Sequence, residues 1–210
     1  NYRKYLKQRN EFLKQTDQST NYDALLLETI TEKLIKEAKT IIFERQEFVK
    51  ALNEKLKTIN YEISDEKDCG AIVYVPNRTI DELEKSFKER IQVDLALKTT
   101  TIGPHRDDFI PLINQKHAYS FASSGQQRTL ALALKLSLAA LCQSQNSRLI
   151  IVLDDVFSEL DANRQNKIMK YLDKGQQIII TTTSIEALSP AVIKKSKIME
   201  IIKEERDEQR

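Results

Sequence analysis

Glycine is scarce in this chain: its 210 residues contain four, at Gly70, Gly103, Gly125 and Gly175. A Walker A loop, G-x-x-x-x-G-K-[ST], needs two glycines five residues apart followed by lysine, because its backbone wraps around phosphate groups. A dinucleotide-binding turn, G-x-G-x-x-G, needs three glycines at short spacing. No two of the four glycines are close enough for either motif. The sequence therefore contains no phosphate-cradling loop of its own.

Cysteine and long apolar runs are also missing. Cys69 and Cys142 form neither a Cys-x-x-Cys pair nor a disulfide framework, which favours a reducing compartment and predicts a cytoplasmic protein. The longest apolar run, residues 130–142, is interrupted by Lys135 and Ser137 and is too short to span a bilayer. No signal-peptide pattern opens the sequence. We therefore expect no membrane partner.

The overall charge does not identify a partner. The 33 basic residues nearly balance the 31 acidic ones, for a net charge of +2, which by itself does not indicate a nucleic-acid-binding protein. Hydrophobic residues make up 40% of the chain, enough for a packed core. The length suits one domain with an appendage, or one lobe of a larger protein.

The first 60 residues are predicted to be helical almost throughout. Apolar residues recur at intervals of three and four along 2–13, and mostly of four from Leu26 to Ile59 behind a possible N-cap at Asp23. This pattern favours a helical hairpin or arm. Basic residues crowd the start of the segment: Arg3, Lys4, Lys7 and Arg9. They are either a solvated helix face or contacts to DNA phosphates.

The rest of the chain alternates strands and helices. A strand is predicted at 71–75, and a capping box at 79–82 opens a helix. A β-hairpin is predicted over 109–121, turning at 114–115. Residues 130–142 predict a helix that is buried nearly all round.

Two apolar runs near the end of the chain predict a parallel sheet. Residues 149–153 and 177–181 are continuous apolar strands of the kind that are covered on both faces, and a helix at 162–172 lies between them. Together they form a β-α-β unit. A last strand is expected at 198–202.

Two adjacent carboxylates, Asp154 and Asp155, end the first of these strands. Burying a carboxylate is costly unless it is paired or holds a metal, and open α/β folds bind ligands at the carboxyl ends of their strands. One interpretation is a Walker B motif, in which Asp154 supports Mg²⁺ directly or through water and Asp155 orients or deprotonates the attacking water. The alternative is a pair of carboxylates that caps the following loop.

The long apolar helix is preceded, about thirty residues before Asp154, by three small residues and a glutamine: Ser123, Ser124, Gly125 and Gln126. The N-terminus of a helix presents free N–H groups and partial positive charge, which suit a phosphate. An ordinary serine N-cap is the alternative. The stretch S-E-L-D at 158–161 follows the two carboxylates. Residues 123–126, the two carboxylates and S-E-L-D stand in the order of the signature, Walker B and D-loop motifs of an ATPase. This order is far more specific than any one of the three motifs.

This order resembles the second half of an ABC-type ATPase head, and four stretches resemble the RecF family of bacterial repair proteins. They are Y-L-K-Q-R-N at 5–10, G-P-H-R-D-D at 103–108, G-Q-Q-R-T at 125–129 and L-D-D-V-F-S-E-L-D at 153–161. The resemblance implies an α/β fold: the C-terminal lobe of an ATPase head, with a mostly parallel sheet and flanking helices. Residues 1–92 would form a helical arm domain with a short strand, and residues 93–210 the ATPase lobe.

The resemblance also implies a function in DNA replication and recombinational repair. ATP and Mg²⁺ would lie between two head-to-tail protomers that close on DNA and open after slow hydrolysis. RecO- and RecR-type partners would help to load recombinase at single-strand gaps. The signature residues, Ser123, Ser124, Gly125 and Gln126, would contact the nucleotide held by the other protomer. Ser158 and Asp161 would form the D-loop, and Thr183 would sense the γ-phosphate where ABC heads carry a histidine.

Three features of the sequence bear on these implications. Without a Walker A loop, this chain alone is expected neither to bind ATP tightly nor to hydrolyse it, whereas the full-length protein would be a weak, DNA-dependent ATPase. Asp155 stands where ABC heads usually carry the longer glutamate, and a shorter reach suits a slow switch. The loop at 103–108 is either a salt-bridged turn or a surface that faces nucleotide or DNA.

A second hypothesis belongs to another class of function. The helical arm and an incomplete ATPase head could form a non-catalytic scaffold for protein docking. A scaffold would bind its partners equally well with and without ATP, so nucleotide dependence distinguishes the two hypotheses.

Overall fold

The computed structural model describes residues 1–16, 22–143, 149–158, 160–172 and 177–201. The helices are α1 (Tyr2–Gln15), α2 (Ala24–Ile63), α3 (Leu83–Leu97), α4 (Ala118–Phe121), α5 (Ser124–Gln143), α6 (Ala162–Leu172) and α7 (Pro190–Lys195). The strands are β1 (Gly70–Val75), β2 (Asp108–Ile113), β3 (Lys116–His117), β4 (Ile150–Asp154) and β5 (Gln177–Thr181). Within these residues, no helix is long and apolar enough to span a membrane.

Helices α1 and α2 form the predicted helical hairpin. The Asp23 side chain accepts a hydrogen bond from the Leu26 backbone N–H at 2.9 Å, which confirms it as the N-cap of α2. The start of α1 packs near Ala38 and Ile42, and its end packs beside Leu27, so the two helices run antiparallel. The second half of α2 extends past α1 and enters the main core, together with α5, β1 and β4.

The antiparallel sheet has the order β1-β2-β3. The predicted turn is confirmed, with Asn114 and Gln115 both at positive φ, 49° and 65°, as tight hairpin turns require. The second strand of the hairpin is shorter than expected, because residues 118–121 form helix α4 instead of a strand. The Gln127 side chain stabilises this helical turn by donating to the Ala118 and Ala122 carbonyls, both at 3.1 Å.

The parallel pair β4–β5 with α6 between its strands confirms the predicted β-α-β unit. Its two faces differ in burial. Leu153 on the inner face is 5% exposed, whereas Ile150 and Val152 on the outer face are 64% and 59% exposed. The prediction that both faces are covered is therefore wrong for this chain. The last strand, predicted at 198–202, is also wrong over residues 198–201, because they do not pair with another strand. Residue 202 lies outside the described residues.

Helix α5 is buried on one side only. Leu130, Ala133 and Leu136 face the core, while Leu138 is 36% exposed, so the expectation of burial all round is not met. Helix α3 crosses the predicted boundary between residues 92 and 93, and β1 pairs with β2 across it. The two predicted units therefore share a sheet.

One glycine is required by the fold itself. Gly103 has φ of +125°, and a Cβ atom there would lie 2.5 Å from the Tyr2 hydroxyl oxygen. Both the backbone conformation and the close approach exclude a larger residue. We expect Gly103→Ala to lower the free energy of unfolding by about 1–3 kcal/mol. Urea unfolding followed by circular dichroism measures this change.

Gly125→Ala is the matched control for stability, because no atom of the described part of the chain lies within 4 Å of a Cβ at that position. We expect it to unfold at the same urea concentration as the wild type or a higher one. Equal unfolding midpoints for Gly103→Ala and the wild type would show that the loop can relax around the added methyl group.

Candidate functional site

Asp154 and Thr181 face each other at the carboxyl ends of the parallel strands. The two residues are direct partners in the register of β4 and β5, and the Thr181 hydroxyl donates to the Asp154 carboxylate at 2.5 Å. Both residues are exposed. The carboxylate predicted to support a metal ion is thus held in place by a hydroxyl group that the sequence analysis did not assign.

Asp155 lies in the left-handed region, with φ of +49°. Its backbone N–H points at the Thr181 carbonyl and hydroxyl oxygens, at 3.2 and 3.1 Å. The Ser158 hydroxyl lies within hydrogen-bond distance of both the Asp155 carbonyl, at 2.8 Å, and its carboxylate, at 2.7 Å. Asparagine and aspartate adopt this backbone conformation more readily than other non-glycine residues. The conformation therefore gives a physical reason for aspartate rather than glutamate at this position.

The oxygens of this group suit a magnesium ion. Mg²⁺ prefers oxygen ligands and is commonly bound by one or two carboxylates, with phosphates and waters completing the shell. Asp154 supplies one exposed carboxylate, and Thr181 supplies a hydroxyl beside it. Among the residues that the structure describes, no cluster of three or more acidic, histidine or cysteine side chains forms a self-sufficient metal site. A metal ion at Asp154 would therefore need most of its ligands from outside the described residues.

A buried glutamine holds the loop after Asp155 through hydrogen bonds to its backbone carbonyls. Gln165 of α6 is 1% exposed, and its side-chain amide donates to the Phe157 and Leu160 carbonyls at 2.9 and 3.0 Å. Asp161 caps α6 by accepting from the Arg164 backbone N–H at 2.9 Å. Two of the predicted D-loop residues, Ser158 and Asp161, are thereby fixed relative to β4.

The predicted signature opens α5 with a capping box. The Ser123 hydroxyl accepts from the Gln126 backbone N–H at 3.3 Å, and the Gln126 side chain accepts from the Ser123 N–H at 3.0 Å. The simpler interpretation, an ordinary serine N-cap, is therefore correct for the geometry of Ser123. Ser124 and Gly125 follow in the exposed first turn of a helix of 20 residues.

Comparison with known proteins shows which proteins this chain is similar to. No protein-family model matches the chain. It is 35% identical over 212 residues to the DNA replication and repair protein RecF of Lactobacillus gasseri, covering 95% of this chain and 57% of that protein. It is 38% identical to RecF of Lachnoclostridium phytofermentans, covering 96% of this chain and 56% of that protein.

The solved structures agree. A structure of the recombination mediator protein RecF with ATP, in the RecFOR pathway, superimposes with a TM-score of 0.75 at 33% identity, covering 88% of this chain and 52% of that chain. The chain matches the C-terminal part of RecF. It spans about half the length of the RecF proteins that it matches. The likeness confirms the predicted α/β fold class, with the difference that the structure combines one parallel and one antiparallel sheet.

One of the RecF-like stretches contains a basic residue that lies in the core. Arg9 is 1% exposed and donates to Asp94 at 2.7 Å, to Thr100 at 2.8 Å and to Thr31 at 2.9 Å. Its guanidinium group also lies over the ring of Phe87. This corrects the expectation for Arg9, because a side chain that is 1% exposed and bonded to three core partners cannot reach a DNA phosphate. The other three candidates, Arg3, Lys4 and Lys7, are exposed.

The RecF-like loop at 103–108 contains the salt-bridged turn that the sequence left open as one of two interpretations. Asp107 binds the Arg45 guanidinium at 2.6 Å and the Asn77 backbone N–H at 2.8 Å, and it also accepts from the Tyr74 hydroxyl. Burial, together with the bond to Asp107, raises the pKa of Tyr74 to about 12. The loop thereby ties α2 to the end of β1.

His105 is held as a neutral ring in the same loop. Its Nε2 lies 3.1 Å from the Thr100 carbonyl, and its Nδ1 lies 2.7 Å from the Tyr2 hydroxyl. Since a carbonyl only accepts, Nε2 carries the proton and Nδ1 accepts from Tyr2. Burial lowers the pKa of His105 and raises that of Tyr2. Both side chains are engaged in holding α1 against the loop.

The positions of the remaining predicted residues show what the sequence analysis missed. Thr183 is exposed and lies two residues beyond Thr181, the residue that contacts Asp154. Aligning the two predicted strands end to end would have placed Thr181 opposite Leu153, one residue short of its observed partner Asp154. Asp65 and Asp68, which bind the starts of α6 and α5, were also missed. No local pattern marks them, since they lie in a polar turn far along the chain from their partners.

Proposed function

We propose that this chain is the C-terminal part of an ATP-dependent DNA-repair switch of the RecF type. In the proposed full-length protein, two protomers hold ATP between them head to tail, close on DNA and reopen after slow hydrolysis. The relatives that it matches are DNA replication and repair proteins, and a similar solved structure contains ATP. These likenesses support the proposal for the whole protein.

The observation that carries the proposal is the open surrounding of Gly125. Among the described residues, nothing lies within 4 Å of a Cβ built at this position, and its backbone does not lie in the left-handed region. Packing and backbone conformation therefore give no reason for glycine, which weakens a helix relative to alanine. A reason outside the chain is the close approach of a phosphate to the N–H groups that begin α5.

The residues at the carboxyl ends of β4 and β5 supply the chemistry on the proposed protomer's own nucleotide. Asp155 accepts a proton from the attacking water or orients it. Asp154, held by Thr181, supports the magnesium ion that neutralises phosphate charge when bound. Thr181 joins Thr183 as a candidate sensor of the γ-phosphate, because it contacts both Asp154 and Asp155.

The signature residues act on the other protomer's nucleotide in this proposal. Ser123 and Gly125 present the start of α5 to its γ-phosphate, while Ser124 and Gln126 complete the turn. Ser158 and Asp161 connect the two nucleotide sites through the D-loop. The exposed outer face of β4 and β5 is apolar at Ile150, Val152 and Ile179. In the full-length protein we expect the part of the head that carries Walker A to cover it.

DNA and RecO- and RecR-type proteins are the proposed partners. The similar structure is of a recombination mediator in the RecFOR pathway, and the proposal extends that assignment to this chain. Arg3, Lys4 and Lys7 remain candidates for phosphate contacts, since their side chains lie on the exposed surface of α1.

Gly125→Ala in the full-length protein tests the proposal. We expect ATP-dependent dimerisation to weaken on the order of tenfold or more, because the methyl group obstructs the phosphate at the helix start. The melting temperature should stay the same or rise, since alanine favours a helix by about 0.5–1 kcal/mol. Sedimentation velocity with and without ATP measures dimerisation. A variant that dimerises with ATP as the wild type does would exclude the signature role of Gly125.

A further inference from the structure

The turn that ends α2 is tightly constrained. Helix α2 has 40 residues, and it is followed by two non-glycine residues in the left-handed region, Asp65 with φ of 58° and Glu66 with φ of 62°. Such a pair is strained and persists only where its surroundings fix it. The Asp68 N–H donates to the Ser64 hydroxyl at 2.9 Å, and the Asn60 side chain donates to the Asp68 carbonyl at 2.9 Å. The turn therefore has one defined shape.

Asp68 in this turn binds the start of α5. Its carboxylate oxygen Oδ1 accepts from the Gln126 side-chain amide at 2.9 Å and from the Asn114 amide at 3.0 Å. Asp68 is 8% exposed. Gln126 is the residue whose other amide atom closes the capping box with Ser123. The carboxylate of Asp68 thus fixes the orientation of the side chain that caps the signature helix.

Asp65 in the same turn binds the start of α6. Its oxygen Oδ1 accepts from the Lys167 ammonium at 2.8 Å and from the Asn163 amide at 3.1 Å, and Oδ2 lies 3.8 Å from Arg164 Nε. The hydrogen bond from Lys167 lowers the pKa of Asp65. Arg164 also lies 3.5 Å from Asp161, the N-cap of α6. Three residues in the first two turns of the D-loop helix therefore converge on one carboxylate.

We propose that the turn Ser64–Asp68 is a positioning element that ties both nucleotide-contacting helix starts to the end of the arm, with Asp68 holding α5 and Asp65 holding α6. The inference rests on the proposed ATP switch and adds the means by which the arm regulates it. A helix of this length extends about 60 Å, so a small rotation of α2 displaces its end appreciably. Because one turn holds both helix starts, the signature and the D-loop move together.

The effect on the site follows from the precision that such sites need. A misplacement of about 1 Å at a reacting centre can cost on the order of a hundredfold in rate. A protein bound to the arm would therefore change dimer closure through α2 without touching nucleotide.

Three variants of the full-length protein test the coupling. Asp65→Asn keeps a residue that tolerates the left-handed backbone but removes the charge that Lys167 and Arg164 share. Asp68→Ala removes the acceptor for Gln126, whereas Asp68→Asn retains an acceptor oxygen. We expect Asp65→Asn and Asp68→Ala each to raise the protein concentration for half-maximal ATP-dependent dimerisation by about tenfold. Asp68→Asn should recover most of that loss.

Glu66→Gln is the matched control, because it removes an exposed carboxylate from the same turn. It should dimerise as the wild type does. If the wild type itself does not dimerise with ATP, the proposed function fails. If the wild type dimerises but Asp65→Asn and Asp68→Ala behave as Glu66→Gln does, the switch stands and the coupling is overturned. Equal losses in Asp65→Asn, Asp68→Ala and Glu66→Gln would also overturn it, since the net charge of the turn rather than the two contacts would then be responsible.

Discussion

Replacing Asp155 by asparagine is expected to slow ATP hydrolysis by the full-length protein by about a hundredfold or more, the usual contribution of a positioned general base. Asparagine has nearly the same shape, tolerates the left-handed backbone at φ +49° and keeps an oxygen that can accept from Ser158. It cannot take a proton from water. We therefore expect ATP to remain bound and the dimer to stay closed.

Single-turnover kinetics measures the rate of ATP hydrolysis, and sedimentation velocity in ATP shows whether the dimer persists. Asp81→Asn, at an exposed position outside the site, is the control and should hydrolyse ATP at the wild-type rate. A variant that is monomeric in ATP would contradict the role of Asp155, because loss of hydrolysis alone should lengthen the life of the dimer. An unchanged hydrolysis rate would transfer that role to another residue.

Replacing Arg9 by alanine is expected to lower the free energy of unfolding by about 3–5 kcal/mol. The change leaves Asp94, which is 0% exposed, with a buried charge and no cation within bonding distance among its described partners. It also removes the donors to Thr100 and Thr31 and the contact with Phe87. Breaking one side of a buried ion pair costs far more than breaking an exposed pair.

Urea unfolding measures this loss, and Lys7→Ala provides the comparison on the same helix. The Lys7 side chain is 78% exposed and lies 3.8 Å from Glu11, so we expect its removal to change stability by less than about 0.5 kcal/mol. Similar unfolding midpoints for the two variants would mean that the Arg9–Asp94 pair is not stabilising in solution.

Local patterns in the sequence predicted the elements whose formation depends on neighbouring residues. Helix α6 was predicted over 162–172, between the two apolar strands, and these are its observed bounds. The turn at Asn114 and Gln115 was predicted from its place between two strand-like segments, and both residues do lie at positive φ. The order of the signature, Walker B and D-loop stretches was also visible without a structure.

Other features depend on residues that are distant in the sequence. Residues 118–121 were predicted as the end of a hairpin strand, but they form a helical turn whose Ala118 and Ala122 carbonyls accept from the Gln127 side chain. The outer face of β4 and β5 reads as buried because its residues are apolar, although nothing in the described chain covers Ile150 or Val152. An apolar composition indicates that a segment can be buried, but it does not identify the residues that cover it.

Local patterns were enough to predict the helical hairpin, the β-α-β unit and two carboxylates at the end of a strand. The position of Arg9 in the core became visible only in the folded chain, since its partner Asp94 lies 85 residues away. The same holds for Thr181 beside Asp154, and for Asp65 and Asp68 at the starts of α6 and α5. Periodicity and capping are short-range effects, whereas ion pairs and hydrogen bonds between elements depend on how the chain folds back on itself.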